Sequence, residues 1–262
     1  MKAGRLPVIS LLTDFGTADY FVGAVKGAIL SVNPEAVIVD ITHEIAPQDI
    51  SAGAFTLLGA YQTFPAGTIH VVVVDPGVGS TRRPIVVSAN EQFFVGPDNG
   101  LFTYIYDREP AFEVFHVIAE KYFRRDSSTT FHGRDIFAPV AAALSNGVKP
   151  RKLGPRIGDA IRLDIPLAPE VLTNGDVRAR IIHIDHFGNC VTNITRDLVK
   201  PNATLVINRT TIRDFRTFYG EDPAPTPFAI WGSAGFLEIS INGSSAARHL
   251  RAKPDDLVLL RA

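Results

Sequence analysis

Short apolar runs that end on polar residues alternate with stretches of helical spacing along the first 165 or so residues. Residues 7–13 (PVISLLT) and 36–42 (AVIVDIT) are runs of this kind, and 69–74 (IHVVVV) is almost continuous in β-branched side chains. Such continuity predicts a strand covered on both faces. Between the first two runs, Phe21, Ala24, Val25, Ala28 and Ile29 recur at helical spacing until Asn33-Pro34 stops the pattern. A second helical stretch near 48–61 ends before Phe64-Pro65. Strands and helices in this alternation predict a largely parallel central sheet with right-handed crossovers. Residues 84–89 and 92–96 read as a hairpin, closed by GPDNG at 96–100. A helix is expected over 134–146, with Ile136, Phe137, Val140 and Ala143 on its apolar face. Pro139 falls in its first turns, where proline is tolerated.

The pattern changes after about Pro166. LAPEVLTNGD (167–176) reads as a connection, and short strands are expected at 177–184, 190–194, 203–212, 227–232, 235–241 and 256–261. No long amphipathic helix interrupts them, which suggests a small antiparallel barrel or sandwich. The expected fold is an α/β N-terminal domain over 1–166 and a smaller all-β, barrel-like C-terminal domain over 167–262.

Composition narrows the function classes. The chain has 262 residues, 46% of them hydrophobic, enough for real cores and against wholesale disorder. Lys and Arg total 26 against 27 Asp and Glu, so there is no global basic field for nucleic acid. A single cysteine, Cys190, excludes an internal disulfide and a cysteine-based zinc site, and fits a reducing compartment. No apolar run approaches the roughly 18 residues that cross a bilayer. The start, MKAGRLPVISLLTD, lacks the core of a secretion signal. A cytoplasmic protein without a membrane partner is the expectation.

In open parallel sheets, ligands bind beyond the carboxyl ends of the strands. The first strand ends at Asp14 and the third at Asp75. Asp14 and Asp19 have an ordinary reading as turn and cap residues. Asp75 is harder to explain that way, because it follows four valines at the mouth of a core and precedes Pro-Gly-x-Gly. DPGVGSTR resembles a phosphate loop but lacks the Gly-Lys-Ser/Thr that a P-loop requires, so triphosphate binding is not expected. His132 stands in TFHGRD at a helix start, beside Gly133, Arg134 and Asp135, where exposure to a cleft is credible. His43, in ITHE, reads as a loop or core histidine, and KYFRR (121–125) as a solvated loop. IDHFGNCVTNI (184–194) is rich in amides, and an asparagine can bond an adenine edge through two atoms. Its ordinary reading is a turn around Gly188.

TDFGTAD, DPGVGSTRRP, GPDNGLF, TFHGRDIFAP, IDHFGNCVTNI and GSAGFLEISIN together resemble the S-adenosyl-L-methionine hydroxide adenosyltransferases, the adenosine-forming SAM hydrolases. The resemblance runs in order along nearly the whole chain. It implies an α/β domain followed by a β-barrel, and a homotrimer whose site lies between one subunit's N-terminal domain and its neighbour's C-terminal domain. It also implies a small-molecule reaction without cofactor or metal, in which S-adenosyl-L-methionine and water give adenosine and L-methionine. The family's Asp-Arg-His set matches Asp75, Arg82 and His132, and its ribose-binding aspartate matches Asp14. Asn189, with Phe187 beside it, matches the adenine-reading asparagine, and Phe218 would stack on that base. Ser233 and Glu238 would lie near the methionine end, and Asn242 to Ser244 near the adenine.

The halogenating relatives carry a tyrosine where this chain has Asp75, a halide-facing serine at Gly133, a tryptophan at Gln48 and an arginine at Ala234. A carboxylate at Asp75 repels a halide and accepts a hydrogen bond from water, which favours an oxygen nucleophile. Three alternatives stay open on the sequence. One is the halogenase. Another is a metal-dependent hydrolase built from Asp14, Asp19, His43, Asp75, His132 and Asp135. The last is a non-catalytic sensor that keeps the nucleoside contacts alone.

Overall fold

In the computed structural model, residues 6–164, 168–221 and 224–261 are described. The chain divides into two compact units, Met1–Leu163 and Asp164–Ala262. The junction expected between 166 and 167 lies outside the described residues.

The first unit is built on a seven-stranded sheet in the order β2-β1-β3-β5-β4-β6-β7. Its strands are β1 (Val8–Thr13), β2 (Val37–Thr42), β3 (Ile69–Val73), β4 (Pro84–Ala89), β5 (Gln92–Pro97), β6 (Phe112–His116) and β7 (Arg156–Ile157). β3 is buried along its whole length, as its run of β-branched residues requires. β2, β1, β3 and β5 run parallel, whereas β4 pairs antiparallel with β5 and β6, and β6 with β7. The sheet is therefore mixed rather than largely parallel. The reversal comes from the β4–β5 hairpin, whose two-residue turn, Asn90 and Glu91, holds both residues at positive φ. GPDNG lies at the open end of that hairpin. There the buried Asp98 accepts from Arg83 Nε (2.8 Å) and Ile161 N (2.8 Å), and Asn99 Nδ2 donates to the Val74 carbonyl (2.9 Å).

Four helices accompany this sheet: α1 (Phe21–Val32), α2 (Ile50–Ala60), α3 (Thr103–Arg108) and α4 (Ala138–Ser145). α1 has no side-chain cap, so it is held by burying Val25, Ala28 and Ile29 against the core, at roughly 1.5–3 kcal/mol for each large aliphatic. α2 starts where Asp49 accepts from Ala52 N at 2.9 Å. The single helix expected over 134–146 is two pieces. A π-turn at Gly133–Phe137 leads into α4, with Pro139 in its first turn.

The second unit is a curled, strand-rich sheet of β8 (Glu170–Val171), β9 (Val177–Ile184), β10 (Cys190–Thr192), β11 (Thr204–Ile207), β12 (Thr210–Ile212), β13 (Phe215–Arg216), β14 (Phe228–Trp231), β15 (Leu237–Ser240) and β16 (Leu257–Arg261). Its order is β12-β11-β16-β9-β10-β15-β14-β13, with β8 against β9. β9 turns the corner: residues 177–180 pair with β16 and residues 181–184 with β10. Only β13 and β14 pair in parallel, and no ladder joins β12 to β13 among the described residues. The sheet is thus a half-barrel rather than a closed one. It wraps a core that includes Ile181, Leu205, Leu237, Ile239 and Val258. A short helix unseen in the sequence, α5 (Ala246–Leu250), is capped by Ser245, which accepts from Arg248 N at 3.2 Å. Among the described residues, no helix is long and apolar enough to cross a membrane.

Candidate active site

Parallel pairing of β1 with β3 sets Thr13 opposite Val73. The loops that carry Asp14 and Asp75 therefore leave the sheet side by side. Both residues line one cavity of about 400 Å3, together with His132 and Gly133 from the segment before α4. Phe15, Phe21 and Phe131 form an aromatic wall, their ring centroids 5.3–6.0 Å apart. The backbone N–H of Gln48, a residue at φ +68°, donates to Asp14 Oδ2 at 2.8 Å. That bond fixes the carboxylate and leaves Oδ1 without a hydrogen bond among the described residues.

Arg82 joins the other two candidate catalytic residues. Its Nε donates to Asp75 Oδ1 and Oδ2 at 3.0 Å each, and its Nη2 also bonds Oδ2. Nη2 lies 2.7 Å from His132 Nδ1. The Arg82 and Asp75 side chains are 8% and 5% exposed, so this pair works largely out of water. Arg82 also stacks over Phe137 at 5.2 Å, and its buried Nη1 has no partner among the described residues. A guanidinium has no lone pair to offer, so the contact at 2.7 Å makes His132 Nδ1 the acceptor and leaves the imidazole proton on Nε2. Burial, followed by the Arg82 charge, holds His132 below its ordinary value, so the ring is neutral at pH 7.

These contacts depend on the DPGVGSTR loop reaching the 128–132 segment. Gly79 sits at φ +78°, where a Cβ would lie 2.3 Å from the Thr129 carbonyl oxygen. Gly79→Ala is expected to cost at least about 1–2 kcal/mol from the left-handed backbone alone, read by chemical denaturation. It is also expected to lower turnover by separating Arg82 from His132. Asp135 anchors the same segment and is fully buried. Burial acts to raise its carboxyl, but donation from Arg134 and the Ser128 N–H, with Arg124 nearby, outweighs this and lowers it.

The second unit holds a cavity of about 700 Å3, lined in part by Phe187, Asn189, Ser233, Asn242 and Ser244. Asn189 is nine-tenths buried or more, and Asp185 fixes it twice. The Asn189 N–H donates to Oδ1 at 2.8 Å and its Nδ2 to Oδ2 at 2.9 Å. The amide oxygen is then the atom left for a ligand in the cavity that Asn189 lines. Gly188, at φ +83°, makes the turn, and a Cβ there would strike Ser245 Oγ at 2.1 Å. Phe187 is 74% exposed at the rim. Tyr219 lines the cavity and donates to Glu238 Oε2 at 3.2 Å. Glu238 lies behind this wall, and burial raises it despite that hydrogen bond.

Eight of the eleven residues expected at the site line one of the two cavities: Asp14, Asp75 and His132 in the first unit, and Phe187, Asn189, Ser233, Asn242 and Ser244 in the second, whereas Arg82 lies behind Asp75 and His132, and Glu238 behind Tyr219. Phe218 does not line the second cavity and is exposed, whereas its neighbour Tyr219 does. Asp185, Asn99 and Tyr219 escaped the sequence reading. Asp185 had a signal, since an acid four residues before Asn189 spans one tight turn. The donors of the metal reading do not gather: Asp135 is committed to arginines, Asp19 is exposed, and no three His, Cys, Asp or Glu side chains converge among the described residues.

A mixed α/β unit that carries the Asp75–Arg82–His132 cluster, followed by a half-barrel with an amide-lined cavity, defines a two-domain protein with one polar cavity in each unit. The profile of the SAM hydroxide adenosyltransferase N-terminal domain matches residues 9–154, and that of the corresponding C-terminal domain matches 179–259. The chain belongs to the SAM hydroxide adenosyltransferase family. It is 40% identical over 206 residues to an (R)-S-adenosyl-L-methionine hydrolase of Methanocaldococcus jannaschii, covering 76% of this chain and 71% of that protein. To the protein of the same name from Salinispora arenicola it is 38% identical, over 98% of both chains. A fluorinase of Nocardia brasiliensis is 28% identical over 93% of each. The crystal structure of an uncharacterized conserved protein from Thermotoga maritima superposes with a TM-score of 0.89 at 34% identity, covering 97% of this chain and all of that one.

Proposed function

We propose that this chain hydrolyses S-adenosyl-L-methionine to adenosine and L-methionine, by attack of a water oxygen on C5′ in line with the C5′–S bond. The observation that carries this reading is the Asp75–Arg82–His132 cluster beside Asp14 at adjacent strand ends. The C5′–O bond forms as the C5′–S bond breaks, and its electron pair stays on the methionine sulfur. Methionine leaves neutral, so departure needs no general acid and the reaction needs no cofactor. One proton is released from the attacking water. Asp75 is the acceptor for that proton, because its carboxylate oxygens keep free lone pairs beyond the Arg82 contacts. His132 serves as a donor through Nε2–H, orienting the oxygen rather than deprotonating it. Arg82 holds both partners and supplies positive charge beside a developing hydroxide.

Asp14 takes the ribose hydroxyls, a task for which two fixed carboxylate oxygens are suited. Holding nucleophile and C5′ in attack geometry can lower the barrier by roughly 7–11 kcal/mol. In the second unit, the Asn189 amide reads the adenine, with Phe187 as a stacking surface and Asn242 and Ser244 beside the base. Ser233 and Glu238 serve the methionine end. We further assign a homotrimer, in which the first unit of one copy and the second unit of its neighbour complete the site. Neither unit alone carries both the nucleophile set and the adenine set, which supports that arrangement. An active monomer in sedimentation would contradict it. A single buried thiol, Cys190, suits the cytoplasm.

The halogenase reading is weaker on two counts. Asp75 places a carboxylate where a halide would sit, and a Cβ at Gly133 would lie 3.2 Å from the Phe15 ring, so a serine there needs that ring to give by a few tenths of an ångström. The test is incubation of the full chain with S-adenosyl-L-methionine in oxygen-18 water, followed by chromatography and mass spectrometry. Adenosine and methionine in equal amounts, with the label on the 5′-hydroxyl, are expected. Added chloride or fluoride should leave these products unchanged. A 5′-halogenated nucleoside would establish the halogenase, and binding of S-adenosyl-L-methionine without any product would establish the sensor.

A further inference from the structure

We propose that His43 is a positioning residue for ribose binding, one that acts by clamping the loop that carries Asp14. This rests on the reading of Asp14 given above. His43 is 5% exposed and takes no part in the chemistry proposed for the triad. Its side chain and its backbone grip the loop on opposite sides of Asp14. Nδ1 bonds Thr13 Oγ1 at 2.9 Å, and the His43 carbonyl accepts from the Gly16 N–H at 2.8 Å. Asp14 and Phe15, the two residues between these grips, both line the cavity.

The directions of these bonds are mutually consistent. Lys26 Nζ donates to Asp40 Oδ2 at 2.6 Å, which helps keep that carboxylate charged. His43 Nε2 lies 3.1 Å from Asp40 Oδ1 without a hydrogen bond among the described residues, and the nearby carboxylate charge favours the imidazole proton on Nε2. Nδ1 is then an acceptor, so the Thr13 hydroxyl donates to it. With its proton turned towards His43, Thr13 Oγ1 offers a lone pair to the Phe15 N–H at 3.2 Å. The relay from Lys26 through Asp40, His43 and Thr13 thus ends on the backbone of the Asp14 loop. The β1–β2 ladder shifts register between Leu11 and Leu12, leaving Ile41 without a partner. Such irregularities recur next to active sites, where they re-aim a side chain or end the pairing.

A merely structural histidine would lower stability and leave the substrate dependence alone. The test therefore separates affinity, turnover and stability in the full-length protein. For His43→Ala, KM for S-adenosyl-L-methionine and Kd for adenosine are expected to rise on the order of tenfold, as for one lost buried hydrogen bond. The change in kcat should stay within about threefold. His43→Asn, whose amide can reach Thr13 where Nδ1 did, should bring KM and Kd back towards wild type, whereas His43→Phe should not. Equal KM for wild type and His43→Ala, with only the unfolding midpoint lowered, would overturn the proposal. Asp14→Asn distinguishes the two readings. If Asp14→Asn also leaves adenosine affinity unchanged, the ribose role fails. If it weakens adenosine and His43→Ala does not, the clamp alone fails.

Discussion

Arg82→Ala is expected to lower kcat by about 10²–10⁴-fold while KM changes only a few-fold. Arg82 holds the Asp75 carboxylate with Nε and Nη2 and presents the same Nη2 to His132 Nδ1. Its removal therefore takes three things at once: the counter-charge of Asp75, the tautomer of His132 and a cation beside the developing hydroxide. It also strands a carboxylate that is 5% exposed. Breaking one partner from such a pair typically costs about 3–5 kcal/mol of stability. Arg82→Lys keeps the charge but not the planar fork, so stability should largely return while kcat stays at least about tenfold down. The double variant Asp75→Asn with Arg82→Met should likewise recover stability without turnover. Steady-state kinetics and urea unfolding on the same samples check this. Wild-type turnover in Arg82→Ala would remove the triad from the mechanism.

A loss of stability on mild acidification is the second expected result, and it comes from a histidine far from the chemistry. His70 in β3 is fully buried, stacked on Phe94 with centroids 4.9 Å apart and bonded through Nδ1 to Ser10 Oγ at 2.6 Å. Burial brings it from 6.5 down to about 4. The folded chain thus keeps His70 neutral where the unfolded chain would protonate it. The stabilising contribution is complete above pH 6.5, falls as pH drops through the interval to about 4, and falls no further below that. Across that interval the loss amounts to about 3 kcal/mol. Urea unfolding at pH 7 and pH 4.5 should show it. His70→Gln, less stable at pH 7, should lose much less between the two pH values. Equal slopes for both proteins would mean that another group carries the acid sensitivity.

The regular elements were legible in the sequence because their patterns were local. The valines of β3, the helical spacing of α1 and β9 at 177–184 appear where periodicity places them. What failed depended on distant partners. The β4–β5 hairpin was itself legible, but the mixed character of the sheet rests on β4 also pairing antiparallel with β6, a strand more than twenty residues further on. The open edge between β12 and β13 depends on pairings that no local pattern encodes. Within the site, Asp14, Asp75 and His132 could be named in advance because each ends or begins an element. Asp185, Asn99 and Tyr219 could not, because each matters through the group it bonds: the Asn189 amide, the Val74 carbonyl and the Glu238 carboxylate. His43 was read as a plain loop or core residue for the same reason, since its partners Thr13 and Gly16 lie about thirty positions away.

The two cavities draw on different segments. One is built from the loops after β1 and β3 and the turn before α4, and the other from the β9–β10 turn and the segment between β15 and α5. An evolving lineage can therefore exchange what attacks without rewriting what is recognised. On the reading proposed above, replacements near Asp75 and Gly133 would change the reagent delivered to C5′ and leave the cavity at the β9–β10 turn untouched. Relatives named for hydrolysis and for fluorination, aligned along more than nine-tenths of this chain, are what such modular inheritance would leave behind.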